Sequence, residues 1–194
     1  MKRLFCLFVV ALGLTIVVGQ EVVNQIVDGP CSRFQVGNQQ PFFKKLYTGT
    51  WYVYATYDYA DIAGLDCLVA FHSLTPDGNV RNTERGKNLV TNARSSFQST
   101  FYFTQPGVGH YLHDSTDATA ENLQIPVIDY MNYFIEFSCS DLPDGKADCY
   151  IAAFTRTPFP GPIVVNLINA YFNAHNIDRT KLRYVNHDKT RCIF

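Results

Sequence analysis

Between Trp51 and Arg156 the chain is cut into short, evenly spaced runs of aromatic and β-branched residues, and this punctuation limits the folds open to it. The breaks at Thr75-Pro76-Asp77-Gly78, Gln105-Pro106-Gly107 and Leu142-Pro143-Asp144-Gly145 carry turn chemistry. Proline presets φ, Asp bonds to its own backbone, and Gly supplies positive φ at no steric cost. The runs begin near Trp51, Cys67, Asn79, Ser96, His110, Leu123, Tyr133 and Cys149. Short strands joined by tight turns predict an antiparallel meander, and this number of strands closes a small up-and-down barrel.

After Arg156 the character changes. Pro158, Pro160 and Pro162 end the last strand, and residues 163–174 then carry Val164, Leu167, Ile168, Tyr171 and Phe172 at helical spacing. One amphipathic C-terminal α-helix is expected, its apolar stripe packed on the outer barrel wall. A short strand around residues 182–185 and a tail at Cys192 finish the domain.

The start of the chain has a different purpose. Met1-Lys2-Arg3, an apolar run from Leu4 to Val18 and then Gly19-Gln20 form the charged, hydrophobic and small-residue sections of a secretory signal peptide. Residues 1–20 are read as that signal, with Cys6 inside it, and residues 21–194 as one extracellular domain. No later stretch approaches the roughly 20 continuous apolar residues of a membrane span. The domain, about 175 residues, is long enough to bury a core without a metal. Asn-x-Ser/Thr sequons are absent, so N-glycosylation is not expected.

The formal charge of -1 brings no basic excess, which argues against a nucleic-acid partner. Aromatic residues make up 14% of the chain, a supply that suits both pleated sheets and an apolar pocket. Catalytic signatures are missing: there is no Gly-x-Ser-x-Gly elbow, phosphate-cradling glycine loop or His-Glu-x-x-His helix. The chain is therefore read as a binding protein with no required cofactor or metal. His110 and His113, three apart, point to opposite sides of a strand and are read as surface residues.

Three separated motifs resemble the lipocalin signatures. Gly49-Thr50-Trp51-Tyr52 is similar to the first, Asp129-Tyr130-Met131-Asn132-Tyr133 to the second, and Arg156 stands where the third has its basic residue. The resemblance spans about residues 31–192 and implies an all-β, eight-stranded calyx. In that family the Trp closes the barrel floor and the Arg stacks across its ring, a structural cation–π contact. Ile128 stands where the second motif usually has Thr, which removes one local turn hydrogen bond.

Cys31, Cys67, Cys139 and Cys192 resemble the four cysteines of the insect bilin-binding lipocalins, the insecticyanin-like and apolipoprotein D-like branch. That resemblance implies the pairs Cys31–Cys139 and Cys67–Cys192, which staple both ends onto the barrel; sequence alone permits other connectivities. Cys149 is left over, as a buried free thiol, an intermolecular or pigment-attaching thiol, or a competitor bonding Cys139 across the hairpin.

With the pairing implied by the resemblance, alternation sorts the faces. Cys139 facing out turns Tyr133, Ile135 and Phe137 out and Phe134, Glu136 and Ser138 in. Hydrophobic patterning alone would put Glu136 in solvent, and the family alignment reverses this. Counting back from Arg156 places Phe154, Ala152 and Tyr150 inside. Cys67 facing out sets Leu68, Ala70 and His72 inside, and on the first strand Trp51, Val53 and Ala55 face in. The expected wall is apolar with three polar points, His72, Glu136 and Tyr150. Glu136 is either an acceptor for ligand N–H groups or satisfied by His72 or Tyr150. The loop Tyr57-Asp58-Tyr59-Ala60-Asp61 falls where lipocalins form a lid; its tyrosines either meet ligand or partner or are ordinary surface residues.

These readings imply a secreted carrier of one small hydrophobic molecule, a biliverdin-type tetrapyrrole first. Retinoid, carotenoid, sterol and fatty acid are alternative cargoes, with a biogenic amine, or haem using His72 as axial ligand. The competing function is an extracellular interaction protein whose pocket is filled by its own aromatics. Sequence leaves monomer and homo-oligomer open.

Overall fold

The turn punctuation becomes a continuous ladder in the computed structural model, which describes residues 26–33, 41–59, 61–114 and 119–192. The expected signal segment, with Cys6, lies outside the described residues. In chain order the elements are β1 (Ile26–Asp28), a single 3-10 turn (Cys31–Arg33), α1 (Lys44–Tyr47), β2 (Gly49–Thr56), β3 (Asp66–Leu74), β4 (Val80–Lys87), β5 (Arg94–Gln105), β6 (Val108–His113), β7 (Thr119–Asp129), β8 (Tyr133–Asp141), β9 (Lys146–Thr155), α2 (Pro162–Ala174) and β10 (Arg183–Tyr184). Strands β2 to β9 pair antiparallel with their chain neighbours, and β9 pairs back onto β2 to close the barrel. Closure removes the sheet edges that an open meander would present to other chains. In Pro76-Asp77-Gly78 and Pro143-Asp144-Gly145 the glycines take φ of 79° and 78°, the left-handed conformation those tight turns require.

The barrel has one seam. β2 pairs with β3 only through Gly49–Tyr52, and its upper half pairs instead with β10. The tail fills the gap between β2 and β3. Val185 N–H donates to the Tyr54 carbonyl at 3.0 Å, Cys67 N–H to the Asn186 carbonyl at 2.9 Å, and the Cys67–Cys192 disulfide pins the segment. β1 is laid along β9, held by Cys31–Cys139. Both bridges are those implied by the resemblance.

Helix α2 opens with Pro162 at its first position, where the missing N–H costs nothing. Ile168 and Phe172 are buried, and Val164 and Tyr171 are half-buried, against Ala55, Tyr133, Ile135, Ile151 and Ala153 on the outer wall. Burying the two fully covered side chains contributes about 2 kcal/mol each. Leu167, expected in the stripe, stays 47% exposed and outside that cluster.

Candidate functional site

The floor is built from the first and last strands of the barrel. Trp51 is fully buried, and the Arg156 guanidinium lies 3.4 Å from the centroid of its ring. Arg156 also donates to three carbonyls, Tyr130 at 2.9 Å, Thr50 at 3.0 Å and Leu46 at 2.9 Å. It thereby ties α1, β2 and the β7–β8 turn into one plate. Gly49 (φ 97°) leaves room for this; a Cβ there would stand 3.1 Å from Arg156 Nη1. The turn before β8 keeps its hydrogen bonds despite Ile128, because Asp129 accepts from Met131 N–H at 3.0 Å and from the Asn132 amide at 2.7 Å. The Tyr130 hydroxyl accepts from Phe43 N–H and donates to the Pro41 carbonyl, anchoring the approach to α1.

Above the floor the barrel is filled by rings. Tyr47 from α1 is fully buried, and its carbonyl accepts the Trp51 indole N–H at 2.8 Å. Phe134 and Phe154 stack at 4.5 Å, and Phe134 meets Trp51 edge-on at 4.7 Å. His72 is enclosed here, with ring centroids of Tyr47, Phe101 and Phe134 at 4.4, 5.6 and 6.0 Å. Burial lowers its pKa to about 3, so it is a neutral imidazole walled in by rings, with no open face for a haem iron.

The upper half is more polar. Glu136 projects inward from β8 and Glu84 from β4, 5% and 4% exposed. Glu136 Oε2 and Glu84 Oε1 have no hydrogen-bond partner. Neither His72 nor Tyr150 pairs with Glu136. Its near neighbour is the Tyr47 hydroxyl, which lies close enough to influence it but outside hydrogen-bond geometry. Burial, then the charge of Glu84, pushes the Glu136 carboxyl up to about 8, and Tyr47 pulls it partly back. Burial likewise pushes Glu84 up to about 7, opposed by the Asn82 amide. Tyr59 and Tyr150 are raised well above the ordinary phenol value, by burial first and Glu84 second. At neutral pH this chamber therefore holds protonated tyrosines, a Glu84 carboxyl near its midpoint and a Glu136 carboxyl mostly protonated.

The mouth bears a cavity of about 160 Å3, whose lining includes Tyr59, Tyr111, His113, Ser138 and Tyr150. The loop after β2 folds over it. Ile62 and Leu65 are buried in the interior cluster, and Leu65 and Leu68 pack so closely on Gly86 that a Cβ there would meet Leu68 at 2.7 Å. Arg183 holds the loop by pairing with Asp58 at 2.7 Å and donating to the Ile62 and Leu65 carbonyls.

Of the eleven wall residues expected from alternation, Val53, Leu68, Ala70, His72, Phe134, Ala152 and Phe154 join the interior cluster or pack on its rings, with Tyr150 against it. Glu136 and Ser138 keep the same parity on β8. Ala55 does not face in. A bulge between Val53 and Ala55 inserts a residue into β2, so Ala55 turns out beneath α2 and Thr56 takes the inner position. Two other expectations are corrected. Tyr57 and Tyr59 are not surface residues: Tyr57 is buried in the outer cluster and Tyr59 packs on the interior one. His113 is half-buried at the mouth against Phe97 and Tyr111, while His110 stacks outside on Tyr102. Cys149 is a buried free thiol among Val27, Cys31, Phe137 and Cys139. Glu84 escaped the sequence reading because Val80–Lys87 alternates polar with polar residues. Tyr47 escaped it because it enters from a segment without a period.

No family model matches the chain. In sequence it is similar to retinol-binding protein 4-A of Oncorhynchus mykiss, 29% identical over 142 residues that cover 66% of this chain and 78% of the relative. In structure it is similar to insecticyanin from the tobacco hornworm Manduca sexta, with a TM-score of 0.71 at 13% identity over 87% of this chain and 92% of the other. Lobster apocrustacyanin A1 gives a TM-score of 0.66 at 20% identity, covering 87% and 95%. With its closed meander, tryptophan floor under an arginine, flanking helix and end-tying disulfides, the chain has the lipocalin fold and carries that family's sequence signatures.

Proposed function

We propose that this protein is a secreted carrier, not an enzyme, that holds one small, largely apolar molecule in the upper half of its barrel. The observation that carries the reading is Glu136: a carboxyl 5% exposed inside the barrel, with Oε2 unpartnered. Such a group is costly to bury and is satisfied by a ligand that donates N–H or O–H groups to it. Disulfides at both ends support an oxidising, extracellular setting. Among cargoes, a biliverdin-type tetrapyrrole meets the description, with a flat apolar body and pyrrole N–H donors, and the cysteine pattern points the same way. Retinol is the second reading, favoured by the sequence similarity to a retinol-binding protein.

The test is an absorption spectrum of the purified protein, followed by titration with biliverdin, retinol and palmitate under Trp51 fluorescence. A saturable one-to-one complex that weakens about tenfold in Glu136→Gln is expected. Absence of binding by all three, or affinities untouched by the substitution, would refute the reading.

A further inference from the structure

Three sulfurs meet where β8 and β9 approach the mouth. Cys139 is bonded to Cys31, and Cys149 lies directly opposite Cys139 on the neighbouring strand, with its sulfur 3.5 Å from that of Cys139. Opposed residues of antiparallel strands stand about 4.5–5.5 Å apart at Cα, inside the span a disulfide accepts. Cys139 is therefore within bonding reach of two partners and holds one. Cys149 is 1% exposed and packs with Val27, Phe137 and Ala147. Burial first, and the charge of Asp148 second, push its thiol up to about 12, so the closed protein keeps it protonated and inert. On one side that cover is slight. Val27 comes from β1, a strand of three residues at the end of the sheet, paired only through Ile26–Asp148, Val27–Ala147 and Asp28–Lys146. So short an end strand opens locally far more often than the barrel unfolds, and each opening brings water to Cys149. The surroundings of Cys31 are wider. It borders a groove of about 680 Å3 whose lining includes Ser32, His110, Ser140 and Asp141, against about 160 Å3 for the mouth cavity that Cys149 borders.

We propose that Cys149 exchanges with the Cys31–Cys139 bridge and so transfers the free thiol to Cys31, where it becomes a modification site for a soft electrophile entering the groove. The Cys149 thiol gives its proton to water, its sulfur bonds to Cys139 Sγ, the bond from Cys139 to Cys31 breaks, and Cys31 leaves as a thiolate that takes a proton back from water. One disulfide and one thiol stand on each side, so the step needs neither oxidant nor reductant. The resting bridge spans 108 positions and ties the N-terminal end to the barrel, whereas the exchanged one spans 10 and ties a hairpin to itself. The resting form therefore prevails, and capping of Cys31 draws off the exchanged one. This inference is independent of the cargo.

The test treats the folded, full mature protein with N-ethylmaleimide, quenches it in acid and digests it with pepsin without reduction, because at low pH thiolates are too scarce for disulfides to reshuffle. Peptide mapping is expected to find a single maleimide, on Cys31, together with a Cys139–Cys149 bridge and an intact Cys67–Cys192 bridge. Cys149→Ala, which has no thiol to start the exchange, is expected to stay unlabelled with Cys31–Cys139 in place. A maleimide on Cys149 beside an intact Cys31–Cys139 bridge, or no label until the protein is denatured, overturns the inference. A Cys31 label in Cys149→Ala does the same. Should that variant not fold, the map of the unaltered protein decides alone.

Discussion

Replacing Glu84 or Glu136 by Gln should stabilise the protein, and only at high pH. Burial raises the Glu84 carboxyl from 4.5 to about 7, and burial together with the charge of Glu84 raises Glu136 from 4.5 to about 8. A carboxyl whose folded value lies above its unfolded one contributes stability fully below pH 4.5, and that contribution is lost as pH rises through the folded value. For Glu84 the loss between pH 4.5 and 8 is about 3 kcal/mol, and for Glu136 it is of the same order. Glutamine preserves shape without the ionisation, so Glu84→Gln should gain about 3 kcal/mol at pH 8 and close to nothing at pH 4. His72 works with the opposite sign. Its lowered value means stability present above pH 6.5 and lost as pH falls towards 3, but variant and wild type share it, so comparison at one pH removes it. Urea unfolding of the ligand-free, disulfide-intact protein, followed by the fluorescence of its single Trp, measures the difference at each pH. An equal gain at both ends of the range, or a loss at pH 8, would show that the carboxyls are not confined in an apolar interior.

Arg156→Ala should cost about 3 kcal/mol, because it strands the carbonyls of Leu46, Thr50 and Tyr130 and uncovers the Trp51 ring; a fall in melting temperature of about 6–10 °C is expected, with Arg156→Lys recovering only part. In Cys31→Ala, Cys139 and Cys149 should form a disulfide across the β8–β9 hairpin, since they are directly opposed and their sulfurs are 3.5 Å apart; non-reducing peptide mapping that finds both thiols free would contradict this.

The eight barrel strands, the helix, the floor and the parity of β3, β8 and β9 were legible because each rests on a two-residue or helical period that tertiary packing preserved, whereas β1, three residues long, carries too short a pattern to read. Glu136 was legible only through the resemblance, since polarity alone argues for solvent. Ala55 was lost to a bulge, one inserted residue that leaves no mark in the hydrophobic pattern yet flips every side chain beyond it. Glu84 was invisible for another reason. On β4 both faces read as polar, Asn82, Glu84 and Gly86 inside against Arg81, Thr83 and Arg85 outside, so alternation carries no sign. Tyr47 enters from a helix of one turn and has no periodicity to read. The most polar part of the cavity is thus the part whose residues obey local rules least.

The seam between β2 and β3 has a consequence for biogenesis. Its closure depends on a segment bonded to Cys67 from 125 positions downstream, so a nascent chain that already holds every barrel strand still exposes the upper edge of β2. Until that segment arrives and the thiols are oxidised, the intermediate offers a bare strand to its neighbours, and chaperone and disulfide-isomerase supply will govern yield more than final stability does.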